Sequence, residues 1–320
     1  MRIGLLNNLR AGRSEVQVAR VLKCIERHPD ILHVETTHSA AVPEALGEFA
    51  RKGVDVLVVN GGDGTLMRAL TEVIGSGEFG DGVPMIAPLR AGRTNMTALD
   101  VGAHRDPVKG LEALIAADRL GELERRVVHR RVLRVDYSPE RRTLYGMFFG
   151  LGVIHRGIQM AHRNFPRGRA QGVLGGTLVT GALLGRSALL RERGGMLAPD
   201  KLQLILNGEI QPGGEYTLAM ACTLDRLFAR MRPFWGAGDG GIPFTSIESG
   251  AKDLWKAAPG ILAGRPAAHV RERNGYTSRN LDRALIGANC GFTVDGELVD
   301  PEPGRVISVT ATEAIRFLRA

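Results

Sequence analysis

Val54-Asp55-Val56-Leu57-Val58-Val59-Asn60-Gly61-Gly62-Asp63-Gly64-Thr65-Leu66-Met67-Arg68-Ala69-Leu70 joins an apolar run to a helical pattern through a glycine turn. Its first part is a short, nearly continuous β-branched run, the pattern of a strand buried on both faces of a parallel sheet. The run stops at Gly61-Gly62, and Leu66, Ala69, Leu70 and Val73 then recur at helical spacing. The intervening turn therefore sits where open α/β sheets hold ligands, beyond the carboxyl end of a strand and at a helix N-terminus. Three glycines let the backbone take positive φ and let a ligand approach closely. Asp63 adds a carboxylate suited to a metal ion or a ligand hydroxyl. Thr65 adds a hydroxyl suited to a phosphate oxygen; the bland alternative is a glycine turn with Thr65 as helix cap.

Working outward, residues 1–75 alternate strand and helix patterns. Strands are expected at 2–6, 32–36 and 54–59, and helices over 16–25, with Ser14 as cap, and 43–52. A fourth strand follows at 83–88 and a further helix near 111–114. This is the signature of a parallel sheet covered on both faces. The pattern changes near Arg125. Strand-like segments at 130–137 and 143–149 flank Ser-Pro-Glu-Arg-Arg, a hairpin signal. Others follow at 202–206, 216–222, 241–247, 267–271, 292–299 and 306–310, and residues 313–319 read as a last short helix. The expected architecture is an N-terminal parallel α/β domain (1–124) for a nucleotide and a C-terminal, β-sandwich-like domain (125–310) for the substrate, with residues 311–320 returning to the first.

The 320 residues carry a formal net charge of +8, which favours anionic partners: nucleotide phosphates, acidic lipid head groups or nucleic acid. Aromatic residues make up only 5%, too few for a base-stacking surface, and neither helix-turn-helix nor Cys/His finger spacing is present. Nucleic acid is therefore not an expected partner. Cys24, Cys222 and Cys290 are scattered, the usage of a reducing compartment. No run approaches the ~18 apolar residues of a membrane span, and the first strand pattern begins at Arg2. The expected location is the cytoplasm, with peripheral contact at the inner face of the membrane as a further expectation. That contact would use residues 155–195, where nine His and Arg residues surround the charge-free stretch 172–185; a core helix between strands is the alternative. Arg125, Arg126, Arg130, Arg131 and Arg134 form a second basic cluster.

Three further motifs accompany the glycine turn. Asn8-Leu9-Arg10-Ala11-Gly12 follows the first strand. Pro88-Leu89-Arg90-Ala91-Gly92-Arg93-Thr94-Asn95-Met96-Thr97-Ala98 follows the fourth, and its Arg90 and Arg93 could pair with phosphate or face solvent. Asp295-Gly296-Glu297 lies inside an alternating apolar pattern near the end, where Asp-Gly is by itself the commonest tight turn.

Together these segments resemble the diacylglycerol kinase catalytic-domain family, in its bacterial soluble lipid-kinase branch. The Gly-Gly-Asp-Gly-Thr signature is shared with sphingosine kinases, NAD kinases and phosphofructokinases. The resemblance implies ATP-dependent phosphorylation of a lipid hydroxyl, that of diacylglycerol or a relative, with ATP and Mg²⁺ as cofactors and a place in phospholipid metabolism. Carried over, Asn8, Thr37, Gly61, Gly62, Asp63, Gly64, Thr65, Gly92, Arg93, Thr94 and Asn95 would surround the nucleotide. Asp63 would sit on metal or nucleotide, Asp295 would be the base for the attacking hydroxyl, and Glu297 would orient it or help hold the metal. The sequence departs from the family at Arg93 (usually Thr), Met96 (usually Asp) and Val153, where the Gly-x-Asp that Gly150-Leu151-Gly152 resembles is missing. Two alternatives stay open: a NAD kinase-like phosphotransferase, whose Asn-Asp pair is not found, and a nucleotide- or lipid-binding module without catalysis. The partners to test are a lipid, an anionic membrane surface and a second copy of the chain.

Overall fold

Apolar runs that cannot show a polar face to water end up at the centre of a sheet, and the chain places its two purest runs there. The computed structural model describes residues 1–10, 15–80, 82–138, 143–164, 198–301 and 304–320. Contacts divide it into two units, Met1–Arg131 with Glu313–Ala320, and Val132–Thr312.

In the first unit β1 (Ile3–Asn8) lies between β2 (Leu32–Thr36) and β3 (Val56–Gly61), and β4 (Met85–Arg90) follows, all parallel. Every residue of β3 is buried, as its unbroken β-branched run requires. Alternate side chains serve opposite faces. Leu5, Val56, Val58, Ala87 and Leu89 pack in one core with Val21 and Cys24 of α1 (Glu15–Glu26) and Leu111, Leu114 and Ile115 of α5 (Pro107–Arg119). The other face is covered by α2 (Val42–Arg51) and α3 (Asp63–Gly75), which bury Leu46, Phe49, Leu66 and Leu70. Asp106 caps α5 by accepting the Val108 N–H at 2.9 Å, with Pro107 at the first helical position.

Two sequence expectations change here. Residues 313–319 do not form a helix: β18 (Ile315–Leu318) enters the sheet parallel to β4 and antiparallel to β5 (Val127–Arg130). Ile-Arg-Phe-Leu is too short for periodicity to separate helix from strand, and the buried slot beside β4, which takes Phe317 and Leu318, decides it. For the same reason β5 belongs to the first unit, which runs to Arg131 rather than ending before Arg125.

The second unit is a 12-stranded sheet that branches. Its main path joins β16 (Glu297–Val299), β15 (Phe292–Val294), β8 (Phe148–Gly152), β11 (Gly214–Cys222), β9 (Asp200–Leu206), β14 (Ala284–Ala288), β17 (Val306–Ala311), β6 (Leu133–Asp136) and β7 (Thr143–Gly146). One edge of β11 pairs first with β9 and then with β8. Its other edge takes β12 (Ile242–Glu248), which pairs with β13 (Tyr276–Leu281). A register shift between Tyr216 and Leu218 marks the changeover. Helix α6 (Val153–Asn164) leaves β8 directly at Gly152, whose φ of 71° only glycine takes without strain. The α/β first unit and β-rich second unit match the architecture expected from the sequence. Ser14 and the stretch 172–185 lie outside the described residues. No described helix is long and apolar enough to cross a membrane.

Candidate phosphate site and a second carboxylate

The carboxyl edge of β1, β3 and β4 carries two glycine turns that touch. The first, Gly61–Thr65, joins β3 to α3. Gly62 is the helix cap, extended at φ −93°, so Thr65 sits inside the first turn and is not the cap. That leaves the Gly64 and Thr65 amides at a 13-residue helix's positive end without intrahelical acceptors. The second turn, Gly92–Asn95, joins β4 to α4 (Met96–Asp100). Asn95, left-handed at φ 51°, closes it: its Oδ1 accepts the Gly92 N–H at 2.6 Å and its Nδ2 donates to the Gly92 carbonyl at 2.7 Å. Both polar ends of Asn95 therefore bond within the turn. A Cβ on Gly92 would stand 2.4 Å from the Gly62 Cα, so the two turns can meet this closely only because residue 92 lacks a side chain.

Asp63 ties the turns together. Its Oδ1 accepts the Thr97 N–H at 3.3 Å, and the Asn95 and Met96 amides also act on the carboxylate. Burial pushes the Asp63 carboxyl above the ordinary carboxylate range, outweighing the opposite pull of the Met96, Thr97 and Asn95 amides. This carboxylate is directed at the start of α4, where a helix N-terminus favours negative charge. Asn8, at the end of β1, donates from Nδ2 to Thr65 Oγ1 at 2.8 Å and accepts the Arg10 N–H on Oδ1 at 2.9 Å. The Asn8 strand end and the two glycine turns thus converge on one edge. Thr37 is exposed beyond the end of β2, Arg93 and Thr94 are half-buried in the second turn, and Gly12 lies outside the described residues.

The sequence reading missed a set of polar atoms beneath these turns. Asn7 and Asn60 are a register pair on β1 and β3, 0% and 4% exposed, and Asn60 Nδ2 donates to Asn7 Oδ1 at 2.7 Å. Among the described residues, six buried polar side-chain atoms lack a partner. Four of them gather here: Asn7 Nδ2, Asn60 Oδ1, Arg90 Nε and Thr97 Oγ1. Buried polar groups are normally paired, so such a concentration at the ligand end of a sheet marks a place that a ligand or ordered water completes. The one signal in the sequence was an asparagine ending each of two apolar runs.

In the second unit, Asp295 sits at the β15–β16 turn, 6% exposed, with φ 48°. Its Oδ2 accepts the Met147 N–H and its Oδ1 the Phe148 N–H, each at 2.9 Å, while its own N–H donates to the Phe148 carbonyl. The carboxylate therefore fastens this turn to the β7–β8 junction. A Cβ on Gly146 would come within 2.7 Å of Asp295 Oδ2, so glycine is what lets the carboxylate in. Glu297 is half-buried on β16, and its carbonyl accepts the Thr293 hydroxyl at 2.9 Å. Among the described residues, no three His, Cys, Asp or Glu side chains group closely enough to hold a metal ion.

The diacylglycerol kinase catalytic domain family matches residues 2–121, which hold both glycine turns and the Asn8 strand end. The crystal structure of a diacylglycerol kinase from Bacillus anthracis str. Sterne resembles the whole chain, covering 100% of it and 97% of its own length at 13% identity, with a TM-score of 0.64. An NAD kinase from Archaeoglobus fulgidus in complex with ATP covers 100% of this chain and 94% of its own at 14% identity, with a TM-score of 0.50. At such identities the likeness is one of fold. No curated protein matches the chain in sequence.

Proposed function

We propose, from the match of residues 2–121 to the diacylglycerol kinase catalytic domain, that this chain is a phosphotransferase moving the terminal phosphoryl group of ATP to the hydroxyl of diacylglycerol or a related lipid. The observation that carries the reading is the contact of two glycine turns at the carboxyl edge of one parallel sheet, with helix-start amides and partnerless polar atoms gathered there. Phosphoryl transfer relies chiefly on positioning and charge stabilisation, and amides at a helix start supply both for a polyphosphate. In this reading Asp63 does not meet the nucleotide. It holds the second turn against the first, so that the amides of both keep one spacing.

Mg²⁺ fits the reading as part of the incoming nucleotide complex, because that ion takes phosphate oxygens and waters with few protein ligands. When bound it would screen the phosphate charge. Asp295, whose carboxylate is held by the Met147 and Phe148 amides, is the group this reading assigns to accept from the acceptor hydroxyl.

The test is transfer of radiolabel from γ-labelled ATP to extracted membrane lipids, with NAD as a parallel acceptor and nucleotide affinity measured separately. Labelled lipid, lost in Asp63→Ala, is the expected result. Label appearing in NAD instead would replace the acceptor. ATP binding without transfer to either would identify a binding module, the reading that Met96 and Val153 favour by standing where the family carries acids.

A further inference from the structure

Among the partnerless atoms, Arg90 Nε differs in kind, because it belongs to a cation. Arg90 is the last residue of β4 and pairs in register with Gly61, the first glycine of the β3–α3 turn. Adjacent strands lie about 4.8 Å apart, so its backbone stands beside that turn. The residue is half-buried, Nε is out of reach of solvent, and the guanidinium has no hydrogen bond or ion pair to any described residue. Arg93 in the same loop does have a partner within the chain. The charged group acting on Arg90 is a second cation, Arg105, which precedes α5. Burial, and then the Arg105 charge, push the guanidinium below its ordinary value. A half-buried cation with a buried, unsatisfied donor and a like charge beside it is unfavourable on every count. Only an anion relieves all three at once, and phosphate matches the fork of a guanidinium best.

Resting on the phosphotransfer reading above, we propose that Arg90 is the anion seat of the site, receiving oxygens of the nucleotide's polyphosphate through its Nε edge. Arg105 adds long-range attraction. The seat lies beside the glycine turn and supplies the fixed positive charge that backbone amides alone do not.

Both the nucleotide and a phosphorylated lipid product carry phosphate, so the experiment separates them. Binding of sodium tripolyphosphate, ATP, adenosine and dihexanoyl phosphatidate is measured by calorimetry on the wild-type chain, Arg90→Gln and Arg90→Lys, with the ligand-free melting temperature of each. Arg90→Gln is expected to weaken tripolyphosphate and ATP about tenfold or more and to leave adenosine and phosphatidate unchanged. Arg90→Lys, which keeps a point charge without the fork, should fall between. Because the cation is unpaired, ligand-free Arg90→Gln should melt at the wild-type temperature or above it. Equal tripolyphosphate affinity in Arg90→Gln, a loss confined to phosphatidate, or a lower ligand-free melting temperature would each overturn the proposal. Wild-type chain that turns over ATP beside an equally tight Arg90→Gln sinks the anion seat alone. Wild-type chain that binds neither tripolyphosphate nor ATP sinks the phosphotransfer reading with it.

Discussion

Asp63-Gly64 and Asp295-Gly296 are the same dipeptide, one in each unit, and each carboxylate accepts backbone amides from a segment distant in sequence. Each also depends on a glycine across from it: Gly92 clears the way for the Asp63 turn and Gly146 for Asp295. The difference lies in what the bonds leave over. Asp63 opens a helix, so its own carboxylate is spent on α4 while the Gly64 and Thr65 amides behind it have no intrahelical acceptor. Asp295 ends a strand in a left-handed turn, and its own N–H and those of Met147 and Phe148 are all paired. The first turn is tied to α4 by its carboxylate and leaves helix-start amides without intrahelical acceptors. The second holds a hairpin in place. Identical residues make a donor platform or a rivet according to the element they begin or end.

The largest expected effect breaks the rivet. Asp295→Ala leaves the Met147 and Phe148 N–H groups buried and unpaired, at about 1–3 kcal/mol each, so urea unfolding should show a loss of about 2–6 kcal/mol in all. Asp295→Asn keeps one acceptor and turns an amide donor toward the other N–H, and should lose roughly half as much. Lost turnover in either variant identifies a base only if pH–rate profiles of the surviving folded enzyme change as well. Unchanged stability in Asp295→Ala would dissolve the contrast between the two turns.

Next come the two glycines. Gly92→Ala must push apart backbones that now meet at Gly62, whereas Gly146→Ala presses on the Val294 and Asp295 side chains. Both are overpacking changes worth about 1–3 kcal/mol. The expected distinction is functional: Gly92→Ala should weaken ATP binding at temperatures where the chain is folded, and Gly146→Ala should not. Equal effects on nucleotide affinity would argue that the first turn is no platform.

The smallest effect concerns Asp63 and proton linkage. A carboxyl raised in the native state binds protons there more readily than in the unfolded chain, so its contribution to stability is full below the ordinary aspartate value of about 3.9. It is then lost as pH rises through the raised native value. Relative to Asp63→Asn, the wild-type chain should therefore lose stability as pH climbs from about 4. Chemical unfolding of the pair at a series of pH values measures this. A difference of the opposite sign would mean that the α4 amides outweigh burial.

How much of this the chain announced in advance depends on range. The β3 run, its glycine break and the following helix are local, so Gly61–Thr65 could be placed at a sheet's ligand edge from spacing alone, and Asn8 joined it through a second strand end. Thr65 as cap failed because the cap lies three residues earlier, at Gly62, whose backbone is extended. Arg90 and Arg93 looked equivalent in one loop; which of them lacks a partner depends on neighbours from other elements.

From its own order of residues this protein determined an α/β unit followed by a β-rich one, and a phosphate-suited turn after the third strand, because hydrophobic period and glycine placement act over a few residues. Tertiary structure alone decided that Asn7 pairs with Asn60 across 53 positions and that Asp295 meets amides 147 and 148 positions away. It also decided that the C-terminal residues form a strand. Those outcomes depend on which partner a buried polar group or an open sheet edge finds when the chain closes, and no local pattern encodes the partner.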